Sequence, residues 1–332
     1  MINKKIVSWG IAGLGHIAER FAKDLIYHTH NSELGAVACR DRDRAKAFSE
    51  QYACQNYYGS YLDLACDPNI DVVYIATINP FHKSLTKLFL EHGKHVLVEK
   101  PAFINLCDWD EMVSLADKKG LLLIEAMKTV TFPAYQMLLK FLTKHQIKLD
   151  YIEAAFGFYN PLTESNRLFD KTLNGGATLD VGIYPLWLYC DLVAALGRTV
   201  EIPSVKIVST EHNVGVDENV EFLFSGSIKA RLKASITQDL ERVAVLKGPN
   251  IEIVIADKWW NPQYIDVVWH DEHFVIDQPI EGGGFQFEAC HMVELIQQKQ
   301  KESTIIRHGI SRQVISIMAN ALRSNHLGHL VE

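Results

Sequence analysis

The sequence predicts an α/β protein with two domains: an N-terminal doubly wound parallel sheet, and a C-terminal α+β domain built on a mostly antiparallel open sheet. In the first 124 residues, short β-rich runs alternate with helical patterns. From about residue 150, runs of alternating polar and apolar residues follow one another directly. The chain has 332 residues, 48% hydrophobic and 22% charged, which suits two domains of ordinary size.

The first half is predicted to fold as βαβ units, because its strand and helix patterns alternate. The predicted strands are residues 6–11, 34–39, 72–76, 95–98 and 121–125. The predicted helices between them are residues 17–25, 44–52, 84–91 and 108–118. Gly93 and Gly120 follow two of these helices and are placed to end them. We therefore assign residues 1–124 to the N-terminal domain.

The second half is predicted to be an antiparallel sheet with few helices, because strands follow strands there. The predicted strands are residues 151–158, 204–209, 218–224, 227–236, 243–246 and 251–255. Helical patterns are confined to residues 185–196, 287–299 and 311–323. We assign residues 125–332 to the C-terminal α+β domain.

Charge and cysteine content narrow the class of protein. The 33 basic and 40 acidic residues give a formal net charge of -7, and the basic residues are scattered, so nucleic acid is not an expected partner. The 6 cysteines form no close pair and are typical of reduced cytosolic thiols. Because no apolar stretch approaches the roughly 18 residues that span a bilayer, no membrane association is expected. We expect a cytoplasmic protein.

The first strand leads into a glycine-rich turn, Gly13-Leu14-Gly15-His16-Ile17-Ala18, which opens a helical pattern. In a dinucleotide-binding turn the first glycine permits the tight bend, the second lets the backbone approach the pyrophosphate, and a small third residue packs the helix on the strand. The alternative is a tight turn that binds nothing. The context of strand, turn and helix favours a Rossmann domain. The residues expected to contact the cofactor here are Gly13, Leu14, Gly15, His16 and Ile17.

The end of the second strand indicates which cofactor binds. NAD sites place an acidic residue there for the ribose 2'-hydroxyl, but this sequence has Cys39 followed by Arg40. A guanidinium suits the 2'-phosphate of NADP, so Arg40 favours NADP. In the alternative interpretation the arginines are a solvated helix start, and Asp41 or Asp43 holds the ribose of NAD.

Three further segments carry a family resemblance: Thr77-Ile78-Asn79-Pro80-Phe81-His82, Glu99-Lys100-Pro101, and the run from Gly175 to Tyr184, which reads GGATLDVGIY. In this order and spacing they resemble the Gfo/Idh/MocA oxidoreductases, and the resemblance extends over nearly the whole chain. Glu125-Ala126-Met127 together with Tyr184 is most similar to the dihydrodiol dehydrogenase and xylose dehydrogenase branch.

The resemblance implies a Rossmann domain followed by a domain for substrate binding and oligomerisation. It implies cofactor contacts from Thr77, Asn79, Pro80, His82, Glu99 and Lys100. His82 could instead be an N-cap or an exposed residue at a helix start, and Glu99 could instead stabilise its turn. An apolar sheet face left uncovered by helices would pair two copies, so we expect a homo-oligomer, a dimer before a larger assembly.

The implied reaction is hydride transfer between a nicotinamide cofactor and a secondary alcohol of a sugar, polyol or cyclic diol. Such a reaction needs a group that accepts the hydroxyl proton, and Tyr184 is the candidate. Because a free tyrosine titrates at about pH 10, a nearby cation such as Lys100 is expected to assist it. Asp180, four residues before Tyr184, could orient Lys100 or bind a substrate hydroxyl. The alternatives are a core tyrosine, a surface lysine and a helix-capping aspartate.

Several features of the sequence allow more than one interpretation. Arg167 is a candidate clamp for substrate or phosphate. Lys128 stands in a stretch that is usually aromatic in the branch the chain resembles. No His-x-x-x-His pair with an adjoining glutamate is present, so no metal site is expected. The alternative functions are a glycosidase of the same family that uses bound NAD, which Arg40 disfavours, and a non-catalytic regulator that senses the cofactor.

Overall fold

The computed structural model of the protein describes residues 6–161, 163, 166–208 and 215–332. The described chain forms two compact units. The first contains the residues up to Thr131 together with Ile280–His308, and the second contains Phe132–Pro279 and Gly309–Glu332. The sequence-based boundary between residues 124 and 125, with its division of roles, stays a prediction. Ser209, the last residue of one predicted strand, lies outside the described residues.

The helices and strands of the described residues are numbered in chain order. The helices are α1 His16–His28, α2 Arg42–Gln51, α3 Tyr61–Cys66, α4 His82–Glu91, α5 Leu106–Lys119, α6 Pro133–Lys144, α7 Ile183–Ala195, α8 Phe285–Gln297 and α9 His308–Ser324. The strands are β1 Val7–Ala12, β2 Ser32–Ala38, β3 Asn56–Tyr58, β4 Val72–Ile75, β5 His95–Glu99, β6 Leu123–Ala126, β7 Tyr151–Gly157, β8 Ser204–Val208, β9 Asn219–Phe224, β10 Lys229–Ser235, β11 Ala244–Gly248, β12 Ile251–Ile255, β13 Tyr264–Trp269 and β14 Glu272–Asp277. Within the described ranges no helix is long and apolar enough to cross a membrane.

The first unit is built on a six-stranded sheet in the order β3-β2-β1-β4-β5-β6. Every neighbouring pair is parallel, which confirms the predicted doubly wound sheet. All side chains of β1 and β4 are buried, as expected of central strands covered on both faces. The strand order reverses between β1 and β4, so the crevice at their carboxyl ends is where such a sheet binds ligands.

The second unit is built on an eight-stranded sheet in the order β14-β13-β12-β11-β7-β10-β9-β8. Its neighbouring pairs are antiparallel except β7 and β10, which run parallel. One face of β10 is buried through Ala230, Leu232 and Ala234, whereas Arg231 on the other face is exposed. The helix α7, buried along most of its length, packs on β7 and β10. The mostly antiparallel sheet of the prediction is confirmed.

Five elements have no counterpart in the sequence prediction: β3, α3, α6, β13 and β14. The strands β13 and β14 form a hairpin across His270 and Asp271, which both have positive φ angles, 50° and 65°. A tight hairpin with two left-handed residues usually has Asn-Gly or Asp-Gly at its centre. The hairpin was missed because His-Asp gives no such signal.

Candidate active site

The glycine-rich turn joins β1 to α1 and leaves room for a ligand. Gly13 has a φ of 92°, and a Cβ there would lie 2.7 Å from Cγ2 of Thr77, so only glycine fits without strain. Gly15 precedes α1, and a Cβ built on it would have no atom within 4 Å. His16 and Ile17 are the first residues of α1. The turn therefore offers unpaired N–H groups at a helix N-terminus beside open space, which suits the phosphates of a dinucleotide.

A cleft of about 420 Å³ opens beside this turn at the carboxyl ends of β1, β2 and β4. It brings together five of the predicted cofactor residues, Gly13, Leu14, Gly15, Arg40 and Thr77. It is also lined by Asp41, the alternative ribose contact considered from the sequence, and by residues that the sequence did not single out as contacts, namely Cys39, Arg44, Tyr61, Ala76, Ile78 and Phe81. The cleft and its lining fit a dinucleotide, because glycine backbone and basic side chains face the same space.

One end of the cleft is basic. The Arg40 guanidinium lies over the Phe81 ring, 5.4 Å from its centroid, and Arg44 donates a hydrogen bond from Nη2 to the Leu14 carbonyl at 2.5 Å. Tyr61 lines the same cleft as Arg40 and Arg44, and the positive charges of the two arginines oppose the rise that burial causes in the pKa of Tyr61. The basic end therefore pairs two cations with a hydroxyl donor, a set that suits a phosphate.

Asp41 is already used as a helix cap. Its Oδ1 accepts hydrogen bonds from the backbone N–H groups of Asp43 at 3.0 Å and Arg44 at 3.1 Å, at the start of α2. A carboxylate that caps a helix in this way is turned toward the backbone. The alternative in which Asp41 holds the ribose of NAD is therefore less well supported than contact through Arg40.

His82 connects the segment after β4 to the turn after β5 through hydrogen bonds of its ring. Asn79 and Pro80 lie in a short 3-10 turn, Asn79–Phe81, and His82 begins α4 with only 1% of its surface exposed. Its ring nitrogens lie 2.9 Å from the Pro101 carbonyl and 3.0 Å from the Thr77 carbonyl. Burial lowers the pKa of His82, and the positive charge of Lys100 lowers it further. The hydrogen bonds to the backbone carbonyls act in the opposite direction and raise the pKa. The exposed helix-start histidine considered from the sequence is not found.

Glu99 and Lys100 follow the pattern of a buried acid beside a more exposed base. Glu99, 8% exposed, accepts a short hydrogen bond from the Tyr74 hydroxyl and one of 3.1 Å from the backbone N–H of Lys100. Burial raises the pKa of Glu99, and these hydrogen bonds and Lys100 oppose the rise. The carboxylate thus stabilises the turn that carries Lys100, which is the alternative role considered from the sequence. Its role as a cofactor contact stays a prediction.

Behind Glu99 lies a buried charged group that the sequence did not indicate. Lys128 donates from Nζ to the Gly283 carbonyl at 2.8 Å, and burial lowers the pKa of Lys128 to about 8. Glu288, 1% exposed, has no hydrogen-bond partner on either carboxylate oxygen among the described residues. Its pKa is raised well above the usual value by burial and by the charge of Glu99, and Lys128 opposes the rise. Burial therefore favours the protonated form of Glu288.

In the second unit, Asp180 and Tyr184 lie on one continuous helical stretch. Residues Thr178–Gly182 wind as a π-helix, which passes into α7 at Ile183. Such π-helical turns are common at functional sites. The Asp180 carboxylate is 13% exposed and receives a hydrogen bond of 3.0 Å from Nη2 of Arg167. Arg167 therefore contacts a predicted catalytic residue directly.

Tyr184 lies against an aromatic surface of the same unit. Its ring centroid is 5.2 Å from that of Phe156, and Phe156 is stacked on Trp260 at 3.7 Å. The Arg242 guanidinium lies 5.8 Å from the centroid of Trp260. The sequence did not indicate Phe156 or Trp260, because they come from a strand and a loop with no shared motif. The arrangement gives the Tyr184 ring a flat, apolar neighbour that suits an organic ring.

The predicted catalytic residues are divided between the units: Lys100 belongs to the first, and Asp180 and Tyr184 belong to the second. Their catalytic roles stay predictions. Within the described part of the chain, no group of three His, Cys, Asp or Glu side chains could hold a metal ion.

Comparison with known proteins identifies the family of the chain. Residues 7–127 match an oxidoreductase family with an NAD-binding Rossmann fold. The chain is 32% identical over 326 residues to trans-1,2-dihydrobenzene-1,2-diol dehydrogenase of Xenopus tropicalis, covering 95% of this chain and 97% of that one. The chain belongs to the Gfo/Idh/MocA oxidoreductase family. The human enzyme of the same name is 33% identical over 309 residues, 90% of each chain.

Solved structures show the same fold as this Gfo/Idh/MocA oxidoreductase. Aldose-aldose oxidoreductase from Caulobacter crescentus, complexed with glycerol, has a TM-score of 0.84 at 19% identity, and the match covers 97% of this chain and 98% of that one. A 3-ketoreductase from Actinomadura kijaniata, in complex with NADP and TDP-benzene, has a TM-score of 0.80 at 20% identity, and the match covers 96% and 97%. The resemblance stated from the sequence is confirmed at the level of family and fold.

Proposed function

We propose that this oxidoreductase is an NADP-dependent dehydrogenase that acts on a secondary alcohol of a sugar, polyol or cyclic diol. The observation that carries the proposal is the cleft of the first unit, where the glycine turn and two arginines line one space. Relatives at 32% identity are named for a diol substrate, and a structural neighbour is complexed with NADP.

The preference for NADP rests on charge and on hydrogen bonding. Arg40 and Arg44 supply two guanidinium groups near Tyr61 at the basic end of the cleft, whereas Asp41 is engaged as the cap of α2. A 2'-phosphate gains charge-assisted hydrogen bonds from such a set, whereas a 2'-hydroxyl gains less. The residues proposed to hold the pyrophosphate are Gly13 and Gly15. Gly15 stands at the start of α1, where backbone N–H groups are available, and Gly13, whose own N–H donates to the Ala38 carbonyl at 2.9 Å, forms the tight bend that leads there.

The chemistry of the chain itself is proton transfer and orientation. When bound, the nicotinamide ring accepts or supplies the hydride. We assign Tyr184 as the group that takes the substrate hydroxyl proton, and Lys100 as the cation that favours the phenolate and donates to the substrate oxygen. Asp180, held by Arg167, is assigned to a substrate hydroxyl. The aromatic surface of Phe156 and Trp260 would bind the apolar face of the substrate ring beside Tyr184.

Turnover with a panel of substrates tests the proposal. Purified protein is mixed with sugars, polyols and cyclic diols, each with NADP and with NAD, and the absorbance of the reduced nicotinamide is followed. We expect reduction of NADP with at least one secondary alcohol and a higher kcat/KM with NADP than with NAD. Cofactor retained through purification without net reduction, together with cleavage of a glycoside, would contradict the proposal and indicate the glycosidase.

We also propose a homo-oligomer, and a dimer in the simplest case. On the second sheet, one row on the face opposite the buried residues of β10 contains four apolar residues, Leu223, Val245, Val254 and Val275, and three charged residues, Arg231, Glu153 and Asp266. An uncovered face with such side chains favours pairing of two copies. Light scattering at micromolar concentration is expected to give twice the 37.6 kDa chain mass, and a monomer mass would contradict the proposed dimer.

We also propose a cytoplasmic location. All six cysteines are free, which supports it, because reduced thiols are typical of that compartment.

A further inference from the structure

Asp217 is a fully buried carboxylate that contacts the start of the helical stretch carrying Asp180 and Tyr184. Its Oδ2 accepts hydrogen bonds from the backbone N–H and from the Oγ1 hydroxyl of Thr178, both at 2.6 Å. Its backbone carbonyl accepts from the Ala177 N–H at 2.7 Å. The first donors of a helix have no partner inside the helix. Asp217 supplies those partners from a segment 39 residues further along the chain.

The second glycine of the Gly-Gly pair makes room for this carboxylate. Gly176 has a φ of 109°, and a Cβ built on it would lie 2.2 Å from Oδ1 of Asp217. Any other residue would therefore be strained and would also push the carboxylate away from Thr178. The glycine of the sequence motif and the distant aspartate form one structural arrangement.

Oδ2 of Asp217 accepts two hydrogen bonds, whereas Oδ1 is buried and has no hydrogen-bond partner among the described residues. Hydrogen bonds from hydroxyls to carboxylates are shorter than those between neutral groups, and the Thr178 hydroxyl lies 2.6 Å from Oδ2. Burial raises the pKa of Asp217 to about 6, and the hydrogen bonds from Thr178 oppose the rise. A negative charge at a helix N-terminus also interacts favourably with the helix dipole. Asp217 thus holds the first turn by charge and by hydrogen bonding.

We infer that Asp217 is a positioning residue for the reaction: it fixes the Gly176–Thr178 turn, and through that turn it sets the places of Asp180 and Tyr184. The inference rests on the proposed function, because it assigns importance to the place of those two residues. The segment between the turn and Tyr184 is a π-helix, whose geometry depends on where its first turn is held. A displacement of about 1 Å at a reacting group can lower a rate roughly 100-fold.

The test compares Thr178→Val with Thr178→Ser. Valine has nearly the shape of threonine but lacks the hydroxyl that contacts Asp217, whereas serine keeps that hydroxyl. We expect Thr178→Val to lower kcat roughly 10- to 100-fold, with the NADP dissociation constant unchanged, because the cofactor cleft belongs to the first unit. Thr178→Ser is expected to keep most of the wild-type kcat. Thermal unfolding of each variant shows that the protein measured is folded.

Asp217→Asn is the second variant, because an amide oxygen can still accept from Thr178 while the charge is lost. We expect a lower kcat with a folded protein and an unchanged NADP dissociation constant. Wild-type kcat in both Thr178→Val and Asp217→Asn would overturn the inference. A Tyr184→Phe enzyme in the same assay separates the two claims: if its turnover is lost while these variants stay fully active, only the inference fails. If Tyr184→Phe keeps full turnover, the proposed function fails and the inference fails with it.

Discussion

The Arg167 guanidinium holds the Asp180 carboxylate, with 3.0 Å between Nη2 and Oδ1. Arg167 is half exposed, with 51% of its side chain accessible, whereas Asp180 is 13% accessible. Pairs of such exposure contribute little to stability, typically about 0.2 to 1 kcal/mol. The pair is therefore better explained by the orientation it gives Asp180 than by the stability it adds.

Replacing Arg167 by alanine is expected to lower kcat/KM while changing the unfolding free energy by less than about 1 kcal/mol. The reason is that Asp180 would lose its orienting partner. Steady-state kinetics and urea unfolding measure the two effects. Lys46→Ala, which breaks the exposed Lys46–Glu50 pair on α2, is the matched control and is expected to leave kcat/KM unchanged. Equal kinetic effects in the two variants would contradict an orienting role.

Arg40→Ala and Arg44→Ala are each expected to raise the KM for NADP far more than that for NAD. A charge-assisted hydrogen bond contributes about 1.5 to 3 kcal/mol, which corresponds to roughly 10- to 150-fold in KM. The control is Arg42→Ala. The Arg42 guanidinium lies over the Tyr57 ring and Arg42 does not line the cleft, so this variant is expected to leave the KM for NADP unchanged. Initial rates with both cofactors provide the measurement. A wild-type enzyme that prefers NAD, or variants that weaken both cofactors equally, would refute the assignment.

The two glycines of the β1–α1 turn are expected to respond differently to alanine. A Cβ at Gly15 meets no atom within 4 Å, so Gly15→Ala should fold normally but bind NADP more weakly, because the methyl group takes space beside the helix start. At Gly13 a Cβ would lie 2.7 Å from Thr77, so Gly13→Ala should lose about 1 to 3 kcal/mol of stability. Calorimetry of NADP binding and thermal unfolding separate the effects. A Gly15→Ala protein with wild-type NADP affinity would contradict the assignment of this turn to the cofactor site.

Sequence reasoning identified the first sheet and its glycine turn, because both depend on local patterns of a few residues. The alternation of strands and helices and the Gly13–Ala18 run are features of this kind. The same reasoning identified Lys100, Asp180 and Tyr184 only as members of a family motif. Their catalytic roles are not tested by the fold.

The contacts that connect distant segments could not be predicted from the sequence. Asp217 meets Thr178, and Lys128 meets Gly283, 155 residues away. No periodicity or spacing records such a pair, since each depends on how the whole unit folds. Glu99 shows that even a residue within a recognised motif has contacts that the sequence does not predict. Its position beside Lys100 is evident from the sequence, but its hydrogen bond with Tyr74 is not. The sequence indicated the residue and not the direction of its side chain.

Glu288 is expected to make stability fall as the pH rises. Because its pKa is raised in the folded state, the folded protein keeps a proton that the unfolded chain loses above about pH 4.3. The contribution of Glu288 to the unfolding free energy should therefore decrease between about pH 5 and pH 8, the range below the lowered pKa of Lys128. His82, His95 and His291, whose pKa values burial lowers, contribute in the opposite direction up to about pH 6.5. Urea unfolding should therefore show that the unfolding free energy of the wild type, relative to that of Glu288→Gln, falls as the pH rises across this range. The exposed Glu294→Gln on the same helix is the control, and identical slopes in all three proteins would contradict the prediction.

The turnover number of Tyr184→Phe tests the central claim most directly. The substitution removes only the hydroxyl and keeps the ring that lies 5.2 Å from Phe156, so the fold and NADP binding should be unchanged. A positioned acid or base contributes roughly 10²- to 10⁴-fold, and we expect kcat to fall by that factor on the best substrate of the panel. A Tyr184→Phe enzyme with nearly wild-type kcat would contradict the account, because the hydroxyl proton would then leave by a route that does not involve Tyr184.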